Sequence, residues 1–165
     1  MILAGRRIQP GTGHEAGRQL LEELYCRHTG QPMPPILVTD MGKPYFPDSP
    51  WHFSITHTKE HVFCALAQHP IGIDGEEQDR VINPALAKKI LSPSEWEQYA
   101  AAQDPQRALL IFWVLKEALA KATGEGLRIY PNHTAFSLDD SRVVVRSGCI
   151  LAVIELPQNI GNEEQ

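Results

Sequence analysis

Two short acidic and basic clusters carry the side chains best suited to chemistry. In Ile71-Gly72-Ile73-Asp74-Gly75-Glu76-Glu77, strand alternation would put Ile71 and Ile73 on one face and Asp74 and Glu76 on the other. Two carboxylates about 7 Å apart along one face suit a hard cation such as Mg²⁺, which takes oxygen ligands and keeps several waters. A solvated polar sheet edge is the competing reading. The second cluster lies in Trp113-Val114-Leu115-Lys116-Glu117-Ala118-Leu119-Ala120-Lys121, where Glu117 and Lys121 stand one helical turn apart. Glutamate four residues ahead of lysine is also the favourable order for a surface helix pair, so that alternative stays open. The turn before it, Leu109 to Leu115, is too apolar to face water, which places the charges at a buried boundary or a cleft. There they cost desolvation energy unless a ligand or metal satisfies them.

Other groups are weaker. His57 ends a strand-like run between two hydroxyls, Thr56 and Thr58, and Lys43 sits in a Gly42-Lys43-Pro44 turn; each is equally well read as a solvated surface residue. His14, His28, His61, His69 and His133 lack metal-binding spacing and read as surface residues. Gly11-Thr12-Gly13 is too short for a phosphate loop, and G-x-S-x-G is absent.

The composition bounds these possibilities. With 165 residues, 42% hydrophobic and 21% charged, the chain has the mix and length of one ordinary globular domain with a real core. Fifteen Lys and Arg against twenty Asp and Glu leave a charge of −5, which argues against broad binding to nucleic acid or an anionic membrane. Three cysteines, Cys26, Cys64 and Cys149, are too few and too scattered for a disulfide framework or a clustered zinc site. With no leader-like or membrane-spanning apolar run, a cytoplasmic protein is expected.

The clusters need elements to hold them. Leu20, Leu21, Leu24 and Tyr25 at helical spacing predict a helix over 15–28 that stops at Gly30. Strands are expected at 36–39, 52–56, 62–67 and 70–76. After a polar stretch at 78–83 come a short helix over 84–91 and a helix start at Ser92-Pro93-Ser94-Glu95, which has a capping-box pattern. A buried helix should run from Asp104-Pro105 to about Thr123 and end at Gly124, followed by strands at 134–138, 142–146 and 149–156 and a polar tail over 158–165. This order predicts an α+β fold of two halves, 1–77 and 78–165, with the active site between them.

Taken in order, Gly42-Lys43-Pro44, Phe53-Ser54-Ile55-Thr56-His57-Thr58, Gly72-Ile73-Asp74-Gly75-Glu76 and Trp113-x-x-Lys116-Glu117-Ala118-x-x-Lys121-x-x-Gly124-x-Gly126 form a set. The set resembles the 4′-phosphopantetheinyl transferases, particularly the Sfp-type branch. With 73 residues ahead of Asp74, the resemblance implies that one chain holds both pseudo-symmetric α/β halves and acts as a monomer. The implied activity moves the phosphopantetheine arm of coenzyme A to a serine of an apo acyl or peptidyl carrier protein, releasing adenosine 3′,5′-bisphosphate. A binding module for carrier protein or coenzyme A and a metal-dependent phosphohydrolase are the alternatives.

The resemblance also implies roles. Asp74, Glu76 and Glu117 would hold Mg²⁺, with Mn²⁺ a possible substitute, and Glu117 would take the serine proton. Lys121 would steady the pyrophosphate, with Lys116 assisting it or pairing with a carboxylate. His57 and Arg18 would grip the 3′-phosphate, Lys43 and Pro44 would border the adenine, and Thr56 is counted with the coenzyme-binding residues. The family usually has Ser-His-Ser at Thr56-His57-Thr58 and a small apolar residue at Gly75. Where longer Sfp-type members carry an N-terminal basic segment for the 3′-phosphate, this sequence offers Arg6 and Arg7. Lys88, Lys89, Ile90 and Leu91 are the expected carrier-docking rim.

Overall fold

Two strands in this chain are apolar on both faces, and they organise everything else. The computed structural model describes residues 1–126 and 133–157. Its first sheet is antiparallel in the order β1 (Ile2–Arg7), β5 (His61–Ala67), β4 (His52–His57). The second has the order β6 (Ile71–Glu77), β8 (Cys149–Glu155), β7 (Val143–Arg146). In the central strand β5, Val62, Cys64 and Leu66 face helix α1 (Gly13–Thr29) and pack on Leu20, Leu21 and Leu24. The alternate residues Phe63, Ala65 and Ala67 meet Ile71, Ile73, Leu151 and Val153 of the second sheet. On its other face, β8 turns Ile150, Ala152 and Ile154 toward helix α4 (Pro105–Thr123). The layers therefore run α1, sheet, sheet, α4, and the period-two side-chain alternation of β5 and β8 feeds two core layers each. A hairpin of two two-residue strands, β2 (Leu37–Val38) and β3 (Pro44–Tyr45), lies outside these sheets.

The sheets are stitched along β4 and β6 by side chains instead of a backbone ladder. Ser54 Oγ accepts from the Ile73 N–H at 3.0 Å, and Thr56 Oγ1 accepts from the Gly75 N–H at 3.2 Å. Two edge donors of β6 are thus satisfied inside the protein, where an unpaired N–H would be costly. On its other face β6 sits close to α4. A Cβ built on Gly72 would stand 1.9 Å from the Ala118 carbonyl oxygen and 2.5 Å from the Ala122 nitrogen. Both are backbone atoms, so the helix itself would have to move. Gly72→Ala should lower the unfolding free energy by about 3 kcal/mol, at the upper end of overpacking costs, as read from the denaturation midpoint.

Several sequence expectations meet their elements: the helix over 15–28, the strands at 52–56, 62–67 and 70–76, and the long buried helix. Helix α3 (Pro93–Ala101) begins with the full capping box, Ser92 Oγ accepting from Glu95 N–H and Glu95 Oε2 accepting from Ser92 N–H. The segment over 84–91 splits into a 3₁₀ turn (Pro84–Leu86) and the one-turn helix α2 (Ala87–Ile90). One element goes unforeseen and one expectation fails. Ile2–Arg7 is a strand that no turn signal announces; it is recruited by pairing with β5. Conversely, 134–138 is not a strand: Phe136 N–H donates to Glu95 Oε1 and Leu138 N–H to Gln98 Oε1, so side chains of α3 take the place of a ladder. The tail over 158–165 lies outside the described residues.

Candidate functional site

Asp74 reaches the site from β6, and Glu117 and Lys121 from α4. The helix is fixed at both ends: Asp104 Oδ1 accepts from Arg107 N–H, Pro105 follows at the first position, and Gly124 closes it at φ 80°. Lys121 in the last turn places Nζ 2.7 Å from Asp74 Oδ1 and 3.1 Å from the Ile73 carbonyl oxygen. Thr56 Oγ1 donates to Asp74 Oδ1 at 3.3 Å. The other oxygen, Asp74 Oδ2, is buried and has no hydrogen-bond partner among the described residues. Such an atom is expensive to leave unsatisfied in a folded protein.

The electrostatics agree with a cation-shaped deficit. Burial pushes the Asp74 carboxyl above the usual carboxylate range, against the pull of Lys121, Thr56 and the Gly75 amide. Glu117 is half-buried, and its carboxyl is also raised, first by burial and then by the negative charge of Asp74; Lys121 and Arg80 oppose the rise. Lys121 and Arg80 thus do not offset the burial and mutual repulsion of the two carboxylates, and oxygen donors with an unpaired buried oxygen suit a hard divalent cation. Glu76 shares this face of β6 and forms an ion pair with Arg80.

Two cavities flank these residues. One, of about 300 Å³, is lined by Lys43, Pro44, Phe53, Ile55, Glu117 and Lys121. The other, of about 480 Å³, is lined by Gly13, His14, His57, Lys59, Glu76 and Arg80. Its walls carry two cations and two imidazoles beside the first turn of α1, where free amides and the helix dipole favour an anion. Gly13 is needed for that approach, since a Cβ there would lie 2.5 Å from Cγ of His57. Gly11-Thr12-Gly13, although no phosphate loop, thus borders a polar cavity by way of a helix start.

The structure brings Asp74, Glu117 and Lys121 together and sets Glu76, His57, Lys43 and Pro44 around them in the two cavities. Lys43 also donates to the Ala122 carbonyl oxygen, and burial lowers its pKa. Thr56 is buried and turned toward β6. Lys116 is not at these cavities: it is 3% exposed, its Nζ lies 2.7 Å from Glu95 Oε2, and it donates to the Thr134 carbonyl oxygen at 2.6 Å. Arg18 is exposed on α1. Arg6 pairs with Glu23 and Arg7 with Glu60. Ile90 and Leu91, expected in a docking rim, belong to the core against α4. Sequence reasoning missed Arg80, Lys59 and Ser54; Arg80 stands four residues after Glu76, a charge spacing that could have drawn attention to it.

Residues 70–151 match the family model of the 4′-phosphopantetheinyl transferase superfamily. The chain belongs to this superfamily, on its Sfp-type branch. It is 35% identical over 98 residues to a 4′-phosphopantetheinyl transferase of Bacillus subtilis, covering 56% of this chain and 42% of that protein. It is 30% identical over 143 residues to the 4′-phosphopantetheinyl transferase psf-1 of Bacillus pumilus, covering 80% and 61%. A holo-[acyl-carrier-protein] synthase of Yersinia pestis (strain Pestoides F) is 54% identical over 43 residues, 26% of this chain and 34% of that one. The chain thus spans roughly half the length of the Bacillus relatives it matches. Among the described residues no helix is long and apolar enough to cross a membrane.

Proposed function

We propose that this chain transfers the 4′-phosphopantetheine arm of coenzyme A to a serine hydroxyl of an apo acyl or peptidyl carrier protein. The observation that carries the reading is the pairing of the unsatisfied Asp74 oxygen with a second raised carboxylate, Glu117, in a cleft between the sheets and α4. Asp74, Glu76 and Glu117 would hold Mg²⁺, which supplies charge neutralisation at the diphosphate when bound. In the reaction the serine oxygen forms a bond to the arm's phosphorus, the P–O bond to the nucleotide breaks, and adenosine 3′,5′-bisphosphate leaves. Glu117 accepts the serine proton; its burial makes it a stronger base than an exposed carboxylate. Lys121 spends two of its three donors on Asp74 and Ile73 and keeps one for a diphosphate oxygen. The cavity on Lys43 and Pro44 suits the adenine, and that on His57, Lys59 and Arg80 suits the 3′-phosphate.

In this reading the chain holds two pseudo-symmetric halves, 1–77 and 78–165, builds its site internally as a monomer, and works in the cytoplasm without nucleic-acid or membrane partners. A cleft on Lys88, Pro93 and exposed Trp96 would be the basic and aromatic dock for an acidic carrier.

The test is mass spectrometry of apo carrier domain incubated with the chain, coenzyme A and Mg²⁺. Addition of one arm to the carrier, abolished by chelator, is expected. Cleavage of coenzyme A without acceptor would instead indicate a phosphohydrolase, and binding with no turnover a binding module. The raised carboxyls add a second prediction. The folded chain holds Asp74 and Glu117 protonated to higher pH than the unfolded chain, so cation-free stability should fall as pH rises from the ordinary carboxylate range through the raised values. Saturating Mg²⁺ should raise the unfolding midpoint by a few degrees at pH 7 and by far less near pH ~4, and Asp74→Asn should lose the gain. Calorimetry at the two pH values checks this.

A further inference from the structure

On the opposite face of β6 from Asp74, a second group of ligand-type side chains closes one end of the layer between the sheets. His61 begins β5, Glu77 ends β6 and Cys149 begins β8. Cys149 Sγ lies 3.6 Å from His61 Nδ1 and 3.7 Å from Glu77 Oε2, and His61 Nδ1 lies 3.9 Å from Glu77 Oε1. With one donor atom taken from each residue, all three fall within 4.8 Å of one another. We propose that His61, Glu77 and Cys149 form a Zn²⁺ site, separate from the carboxylate site, that clasps the two sheets together.

Bond lengths of about 2.3 Å to sulfur and about 2.0 Å to nitrogen or oxygen, at tetrahedral angles, require donor separations of about 3.3–3.5 Å. The 3.7 and 3.9 Å separations involve the two different oxygens of Glu77, and with one oxygen throughout the three donors stay within 4.8 Å, so side-chain rotation of Glu77 is what brings them to that spacing. The mixture of thiolate, imidazole and one carboxylate selects a borderline-soft ion over Mg²⁺ or Ca²⁺. A second observation points the same way: Glu77 Oε1 is buried with no hydrogen bond of ordinary geometry among the described residues, the carboxylate being drawn by the nearby Thr58 hydroxyl and Glu60 backbone. His61 is held in place by stacking on Phe63, with ring centroids 6.1 Å apart and planes at 22°. Side-chain exposures of 15% for His61 and 29% for Glu77 leave a path for the ion and room for a water as fourth ligand. On binding, the thiol proton passes to buffer and the sulfur–metal bond takes its place. No spacing rule could find this trio, because the three residues come from three strands of two sheets.

The test uses the full chain with Mg²⁺ in excess to occupy the carboxylate site, titrated with Co²⁺ and then displaced with Zn²⁺. One equivalent of Co²⁺ should give a near-ultraviolet thiolate-to-metal charge-transfer band. The band should vanish in Cys149→Ser, persist in Cys26→Ser, and need at least tenfold more Co²⁺ in His61→Ala. Zn²⁺ at about 100 times its Kd should raise the wild-type unfolding midpoint by about 5–10 °C, and by much less in His61→Ala. A wild-type chain with no thiolate band, a band that survives Cys149→Ser, or a Zn²⁺ shift equal in wild type and His61→Ala would each overturn the proposal. Because the wild-type spectrum and His61→Ala decide the matter, a Cys149→Ser chain that fails to fold does not shelter it.

Discussion

Glu117→Gln should reduce phosphopantetheine transfer by about 10²–10⁴-fold, the usual contribution of a positioned general base, while leaving the fold intact. The substitution keeps the shape of the side chain and removes only its capacity to hold a proton and a cation. The same change should leave the cation-free protein as stable as the wild type or slightly more so. Ionised Glu117 is disfavoured by its burial and by Asp74, so a neutral amide relieves two unfavourable interactions at neutral pH. A residue whose neutral isostere stabilises the protein and stops its reaction is maintained for function. Carrier modification followed by mass, together with denaturant midpoints at pH 7 in chelator, reads both halves of the expectation. Unchanged turnover would remove Glu117 from the mechanism and reopen the plain salt-bridge reading of the α4 charges.

Lys116→Met should act in the opposite way, costing about 3–5 kcal/mol of stability with little effect on turnover per folded molecule. Glu95 is fully buried, and its two oxygens accept from Ser92 N–H, Phe136 N–H and the Lys116 ammonium. Removing the lysine leaves a carboxylate in the core without its counter-charge, which costs far more than a surface pair is worth. Burial lowers the Lys116 pKa while Glu95 raises it, as expected of a pair that persists in the interior only through mutual satisfaction. The pair also ties α3 and α4 to the Thr134 to Phe136 segment, so its loss should loosen that segment first. Urea midpoints and kcat on the carrier domain distinguish the outcomes. A hundredfold fall in kcat with an unmoved midpoint would return Lys116 to the pyrophosphate.

Sequence alone was enough wherever the deciding physics is local. Ser92, Pro93 and Glu95 announce a capping box because the whole motif spans four residues, and Gly30 and Gly124 end helices because a left-handed closing residue is itself a local demand. The facing of Asp74 and Glu76 away from Ile71 and Ile73 follows from the pleat, and the order of four motifs singled out Asp74, Glu117 and Lys121, which the fold brings together. Tertiary structure decided what depends on partners remote in sequence. Ile2–Arg7 became a strand because β5 offered it an edge, whereas 134–138 lost its ladder to the side chains of Glu95 and Gln98. Lys116 and Glu117 are adjacent in the chain, yet a 100° step around the helix sends one into the core and the other to the cleft. Residue types and spacing thus specify which groups are available and which way each element turns them. Only the packing of sheet on sheet and helix on sheet specifies which charges are left without a counter-charge, because burial and neighbours, the causes of that deficit, are properties of the folded whole.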